Sequence, residues 1–389
     1  MPCRVLANGF RLAFLLAGAA AVLLIPAWVA ILVYGAPFGG DWPPTLWHAH
    51  EMLFGFIAAA IAGFLLTAVP SWTGRRGFGG APLVLLGTLW LCARVLDATS
   101  ASWPAALVLA VDVAFLLALA ALFAPPLLRE RNRNTPMLLV LALLAACNIA
   151  FHRAMARHDP PAAAHALLAG IDIALLLVTI VGGRIIPAFT ATALREAGSA
   201  RRVRTHPGVG YVAIALMLAV GLVDVFWPGS RGAAALAAVA ALVQALRLLQ
   251  WRTLATLGEP MVWVLHAAYA WLPLGLALKC AALLWGFAAS AFWLHALTIG
   301  VLATMILGVM TRVALSHTGR PMRIGALTTA AYALLLLAGL TRVFGLQLPG
   351  LDYASVIVLS ATFWSAAFAL FLIVYAPMLW LPRSDGRSG

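Results

Sequence analysis

The sequence predicts an all-α polytopic membrane protein with about twelve transmembrane helices and both termini inside. Three observations carry that reading. Of 389 residues, 64% are hydrophobic and only 10% charged, well under the roughly 25% charge of soluble domains, and mean hydropathy is +1.01. The apolar residues fall into runs of about 20, the length that crosses hydrocarbon as a helix with its own backbone satisfied. The basic residues sit in short loops between those runs, biased to one side. The net charge of +13 is not gathered into one face or tail, so nucleic acid is excluded as a partner and membrane lipid takes its place.

The spans read, in order, as 12–34, 47–69, 82–98, 103–124, 136–157, 162–187, 208–228, 231–251, 261–286, 290–315, 322–344 and 352–380. The first follows Arg4 and Arg11 and is too long for a signal-peptide core, so it reads as an uncleaved helix. Trp42-Pro43-Pro44, Pro125-Pro126, Asp159-Pro160-Pro161 and Trp227-Pro228-Gly229 punctuate the loops as turn signals. Of the 25 basic residues, the outer side holds only Arg153, Arg157, Arg231 and Arg342, while Arg94 and Lys279 lie within spans. The remainder are inner, which orients the chain N-in and C-in. Cys3, Cys92, Cys147 and Cys280 lack metal-type spacing; the last three lie in apolar runs and read as buried thiols without disulfides.

The chain reads as one integral membrane domain with an internal repeat. His50, Gly55, Ala58 and Gly63 of the second span match His295, Gly300, Ala303 and Gly308 of the tenth at an offset of 245, and Ser71, Thr73, Gly74 and Arg75 match Ser316, Thr318, Gly319 and Arg320. The sixth span repeats the opening element, His165 to Gly170. Units of four helices result, over 1–130, 131–255 and 256–389.

With this orientation His48, His50, His152, His165 and His295 all fall within a turn or two of the outer helix ends, one layer at about 1.5 Å per residue. Imidazoles in lipid are costly unless they face the bundle and find partners. They suit haem iron, copper and zinc, so the row predicts a metal or haem site. His48 and His50 point roughly 200° apart on a regular helix. Either each serves its own centre, or one is a ligand and the other faces the aqueous boundary. Asn148, four residues before His152, is placed to orient it. His266, near the inner end of the ninth span, serves another centre or only hydrogen-bonds. Asp112 and Asp172, near mid-span, read first as structural partners of Lys279 and Arg94, with proton relay as the alternative; Glu51 is a further intramembrane acid. Arg153 either holds a haem propionate or snorkels to the surface.

Longer motifs point to a family. Trp47-His48-Ala49-His50-Glu51-Met52-Leu53-Phe54-Gly55-Phe56, running on through Gly63-Phe64-Leu65-Leu66-Thr67-Ala68-Val69-Pro70 to Trp72-Thr73-Gly74, resembles the NnrS family. So do Gly182-Gly183-Arg184-Ile185-Ile186-Pro187 with Phe189-Thr190, His295-Ala296-Leu297-Thr298 with Gly300, and Met310-Thr311-Arg312 with His317-Thr318-Gly319-Arg320-Pro321. The resemblance implies a bacterial inner-membrane protein containing haem b and copper, linked to nitric oxide metabolism, denitrification and nitrosative-stress resistance. Its partner would be nitric oxide or a related small gas, and any turnover would be that of a nitric-oxide-related oxidoreductase with an electron donor the sequence does not name. The architecture is also similar to the catalytic subunit of haem-copper oxidases, but the adjacent His-His pair of their copper site is missing, and architecture alone does not transfer a reaction. Two alternatives come from other classes: a twelve-helix secondary solute transporter, and an accessory membrane partner of another metalloprotein.

Overall fold

The computed structural model describes residues 4–286 and 290–386; Cys3 and Arg387 lie outside them. Twelve helices are long and apolar enough to cross a membrane, and no strand occurs among the described residues. They are α1 (Gly9–Tyr34), α2 (Pro44–Thr73), α3 (Ala81–Ala98), α4 (Ala105–Arg129), α5 (Pro136–Ala156), α6 (Pro160–Glu196), α7 (Pro207–Phe226), α8 (Arg231–Leu249), α9 (Pro260–Trp285), α10 (Phe292–His317), α11 (Ala326–Gln347) and α12 (Tyr353–Trp380).

Local chemistry sets most of these boundaries. Pro44, Pro136, Pro160, Pro207 and Pro260 each stand at the first helical position, where a missing N–H costs nothing and φ is already helical. Asp159 Oδ1 accepts from Ala162 N–H at 3.1 Å ahead of α6, and Ser230 Oγ accepts from Ala233 N–H at 3.1 Å ahead of α8. Asp352 accepts from Ser355 N–H at 2.7 Å ahead of α12, and hydrogen bonds from the Ser355 side chain first and its backbone second hold the carboxyl below the usual range. Gly35 ends α1 at φ +67°, a left-handed cap open to glycine.

Two proline signals do not end their helices. Pro125 and Pro126 lie inside α4, which runs on to Arg129, and Pro187 lies inside α6, which runs on to Glu196. A proline removes one backbone donor, but membrane helices tolerate that loss. The thiols also differ from expectation: Cys92 is exposed on α3, and Cys147 and Cys280 are half-buried, with none of the three in a disulfide. An apolar span turns part of its surface outward, and Cys92 falls on that part.

The chain divides into two compact units: Met1–Gly170, Met310–Met322 and Phe368–Gly389 form one, and Ile171–Val309 with Arg323–Ala367 the other. In the first unit α2 is the central element, with 78% of its apolar window buried. The two chain ends meet there, where Arg4 N–H donates to Trp380 O at 3.1 Å. In the second unit α7 lies at the margin, with 22% of its window buried.

Two helices depart from α geometry. Glu51–Ile57 of α2 and Ala296–Ala303 of α10 are π-helical. The offset that aligns His50 with His295 carries one stretch onto the other, so each π stretch begins immediately after its histidine. Both contain a glycine at a close approach. A Cβ on Gly55 would lie 3.1 Å from Arg94 Nη1, and one on Gly300 would lie 2.4 Å from Trp271. The wider turn frees carbonyls, and side chains take them up: Gly55 O accepts from Trp90 Nε1–H at 2.9 Å, and Ile299 O accepts from the Thr304 hydroxyl at 3.1 Å. After His165, by contrast, α6 stays α-helical.

Candidate metal centre

Four helices of the first unit place seven polar side chains in one buried cluster. α2 supplies His50 and Glu51 at the start of its π turn. Arg94 and Asp97 lie three residues apart on α3, and Asn148 and His152 four apart on α5, spacings that put each pair on one helix face. α4 adds Asp112. None of the seven is more than 8% exposed.

Asp112 is the hub. Its Oδ2 lies 3.1 Å from His50 Nε2 and 3.1 Å from His152 Nε2, and accepts from Asn148 Nδ2–H at 2.7 Å. Its Oδ1 accepts from Arg94 Nη2–H. Asn148 Oδ1 lies 3.0 Å from His50 Nε2. On the other side of the ring, His50 Nδ1 lies 3.5 Å from Glu51 Oε1 and 4.0 Å from Asp97 Oδ2. Arg94 also donates to Glu51 Oε1 at 2.7 Å and lies 3.1 Å from Asp97 Oδ2. Aromatic rings close the site: Trp42, in the loop before α2, sits 5.2 Å from both the His50 and His152 rings, and Phe151 lies 4.5 Å from His50 at 31°. The Trp42 loop is pinned through Asp41, whose N–H and carboxylate both bond the Ser100 hydroxyl, at 3.1 and 2.6 Å.

Charge decides what such a cluster can hold. Three carboxylates face one guanidinium, so acids outnumber permanent cations in a buried place. Glu51 Oε2 and Asp97 Oδ1 have no hydrogen-bond partner. Buried charge of this kind is costly unless paired or metal-bound. His50, Asp112 and His152 each offer one donor atom, all within 4.8 Å of one another, and His50, Glu51 and Asp97 form a second such group. A small cation in the His50–Asp112–His152 group would offset the excess of acid, and one in the His50–Glu51–Asp97 group would take up the orphaned oxygens. A haem does not fit here: Phe151 and Trp42 occupy the space beside the His50 ring that a macrocycle would need.

Of the sequence candidates, the structure brings together His50 and His152. His48 turns away and stacks on Trp28 of α1, 4.1 Å between centroids at 23°. His165 and Arg153 are exposed, and His295 is half-buried at the head of the α10 π turn. His266 sits between the Thr190 hydroxyl at Nε2 (2.8 Å) and the Thr253 hydroxyl at Nδ1 (3.0 Å), which leaves neither nitrogen for a metal. Asn148 orients His50 and Asp112 rather than its helix neighbour His152. Asp112 does pair with Arg94, as expected. Lys279 instead bonds Asp224, with Asp172 close enough to feel its charge.

Sequence reasoning gave Glu51 no role and passed over Asp97, which looks like an ordinary acid at a helix end. The available signal was its spacing of three from Arg94, an intramembrane arginine that required acids around it.

No curated protein matches the chain. The family model described as NnrS protein matches residues 4–383, nearly the whole length. The chain is therefore a multi-pass membrane protein that belongs to the NnrS family.

Proposed function

We propose that this protein holds one copper ion on His50, Asp112 and His152 and works on nitric oxide within a bacterial inner membrane, in the defence against nitrosative stress that the family resemblance implies. One observation carries the proposal: two imidazoles and a carboxylate from three spans share a closed, acid-rich site, each offering a donor atom within 4.8 Å of the others, an arrangement that suits a small cation. Imidazole favours copper among the available first-row ions. Bound copper supplies one-electron exchange with a small ligand.

The protein's own groups have defined tasks. His50 Nδ1–H toward Glu51 fixes the tautomer that presents Nε2 to the ion. Asn148 holds Asp112 in place through its Nδ2–H, with its Oδ1 beside the His50 ring. Arg94 keeps the three carboxylates from repelling one another apart. Trp42 and Phe151 exclude water, while an apolar gas reaches the site through lipid. The haem that the resemblance implies has no place in this cluster.

The test is metal analysis with electron paramagnetic resonance on purified protein, before and after nitric oxide. The expected result is bound copper whose signal changes with nitric oxide. Copper should be lost in Asp112→Asn and His152→Ala and retained in His165→Ala. Wild-type protein that stays metal-free after copper-supplemented expression would refute the proposal, and saturable solute uptake by that protein would favour the transporter reading.

A further inference from the structure

Away from the metal cluster, the first unit buries a cation that has no acidic partner among the described residues. Arg11, in the first turn of α1, is fully buried. Its Nη1 donates to Leu381 O at 2.6 Å, Leu379 O at 3.0 Å and Met378 O at 3.4 Å, carbonyls at the C-terminal end of α12. Its Nε and Nη2 have no hydrogen-bond partner. Those two atoms form one edge of the guanidinium plane, the edge that grips a phosphate or carboxylate with two parallel hydrogen bonds.

The surroundings add positive charge. Arg4, Arg320 and Arg383 are near enough to act on Arg11 electrostatically. Among the described residues, only Arg383 of these four has an acidic partner, Asp385. The chain after α12 folds over this corner, with Ser384 N–H on Thr318 O at 3.0 Å and Arg383 Nη1–H on His317 O at 2.9 Å. Three helix ends therefore meet at one membrane face: the start of α1 and the ends of α10 and α12. Helix C-terminal carbonyls attract cations, which accounts for Nη1. They give no account of the orphaned edge or of the neighbouring arginines.

We propose that this corner is a phosphate-binding site, in which Arg11 Nε–H and Nη2–H take two phosphate oxygens and Arg4 and Arg320 supply the flanking charge. The phosphate is that of an anionic lipid headgroup or a free phosphate ion.

The test is thermal unfolding of the delipidated full-length protein in an uncharged detergent. The additions are phosphatidylglycerol, an uncharged glycolipid with the same acyl chains, and inorganic phosphate. Phosphatidylglycerol is expected to raise Tm by about 2–4 °C and the glycolipid to do nothing. A matching rise with inorganic phosphate assigns the free ion as sufficient; a rise with phosphatidylglycerol alone assigns the headgroup. Arg11→Gln should abolish the rise. Since that variant risks misfolding, the double variant Arg4→Gln/Arg320→Gln, at partly exposed positions, should fold and lose most of it. The proposal is overturned if neither phosphate source shifts Tm, if the glycolipid matches phosphatidylglycerol, or if the double variant keeps the full response.

Discussion

Arg94 pairs with carboxylates from three helices, Glu51, Asp97 and Asp112, and its loss would leave all three buried together. Removing one partner of a buried ion pair costs about 3–5 kcal/mol, so Arg94→Met should destabilise by at least that, read from denaturant unfolding in detergent. A smaller loss would mean that the acids are already protonated or metal-bound. Asn148 makes a finer test. It would touch no ion directly, but it donates to Asp112 and its Oδ1 lies 3.0 Å from His50 Nε2. Asn148→Ala should weaken metal binding about 10–100-fold by competition titration with a chelator, with the fold intact; unchanged affinity would reduce Asn148 to a packing residue. At this scale the sequence showed which residue types were expensive in lipid but not which of them meet. His152 and His165 look equally good as intramembrane imidazoles, yet one is buried on Asp112 and the other exposed. The difference lies in the rotation of each helix, which an apolar run does not encode.

The two π turns are the element-scale counterpart. A π turn accommodates one residue more than α geometry allows and so rotates the helix on its N-terminal side by about 100° relative to its C-terminal side. In α2 the residue set by that rotation is His50. Deleting Met52, a half-buried residue of the stretch, should restore an α register and swing His50 off Asp112. The expected outcome is unchanged helical circular dichroism with the metal lost; a deletion that kept the metal would show the π geometry to be incidental. In α10 a Cβ at Gly300 would strike Trp271, whereas Gly325 has nothing within 4 Å. Gly300→Ala should therefore cost about 1–3 kcal/mol, with Gly325→Ala near neutral in the same unfolding assay. The spans were legible to within a few residues, from hydropathy and from prolines at helix starts. The π turns were not, because a twenty-residue apolar window is blind to one extra residue. The offset matching His50 to His295 marked their position without showing their form.

Across the whole molecule, each unit carries its own buried charge. Lys279→Met, which strands Asp224 in the second unit, should lower stability by about 3–5 kcal/mol and leave copper content per folded molecule unchanged, since the two clusters share no side chain. Copper lost in that variant would tie the two clusters energetically. The membrane class and the number of crossings were legible from composition and run length alone, because lipid leaves helices few alternatives. The location of the polar cluster depended on three-dimensional packing among α2, α3, α4 and α5, and only its residue types were visible beforehand. One neighbour of that cluster also makes it observable. The Trp42 indole stands about as far from His50 as from His152, and a paramagnetic ion between those imidazoles would drain its excited state. The chain holds 14 tryptophans, yet subtracting the emission of Trp42→Phe protein isolates this one, so light from a single residue would report each arrival and departure of the ion in an intact membrane.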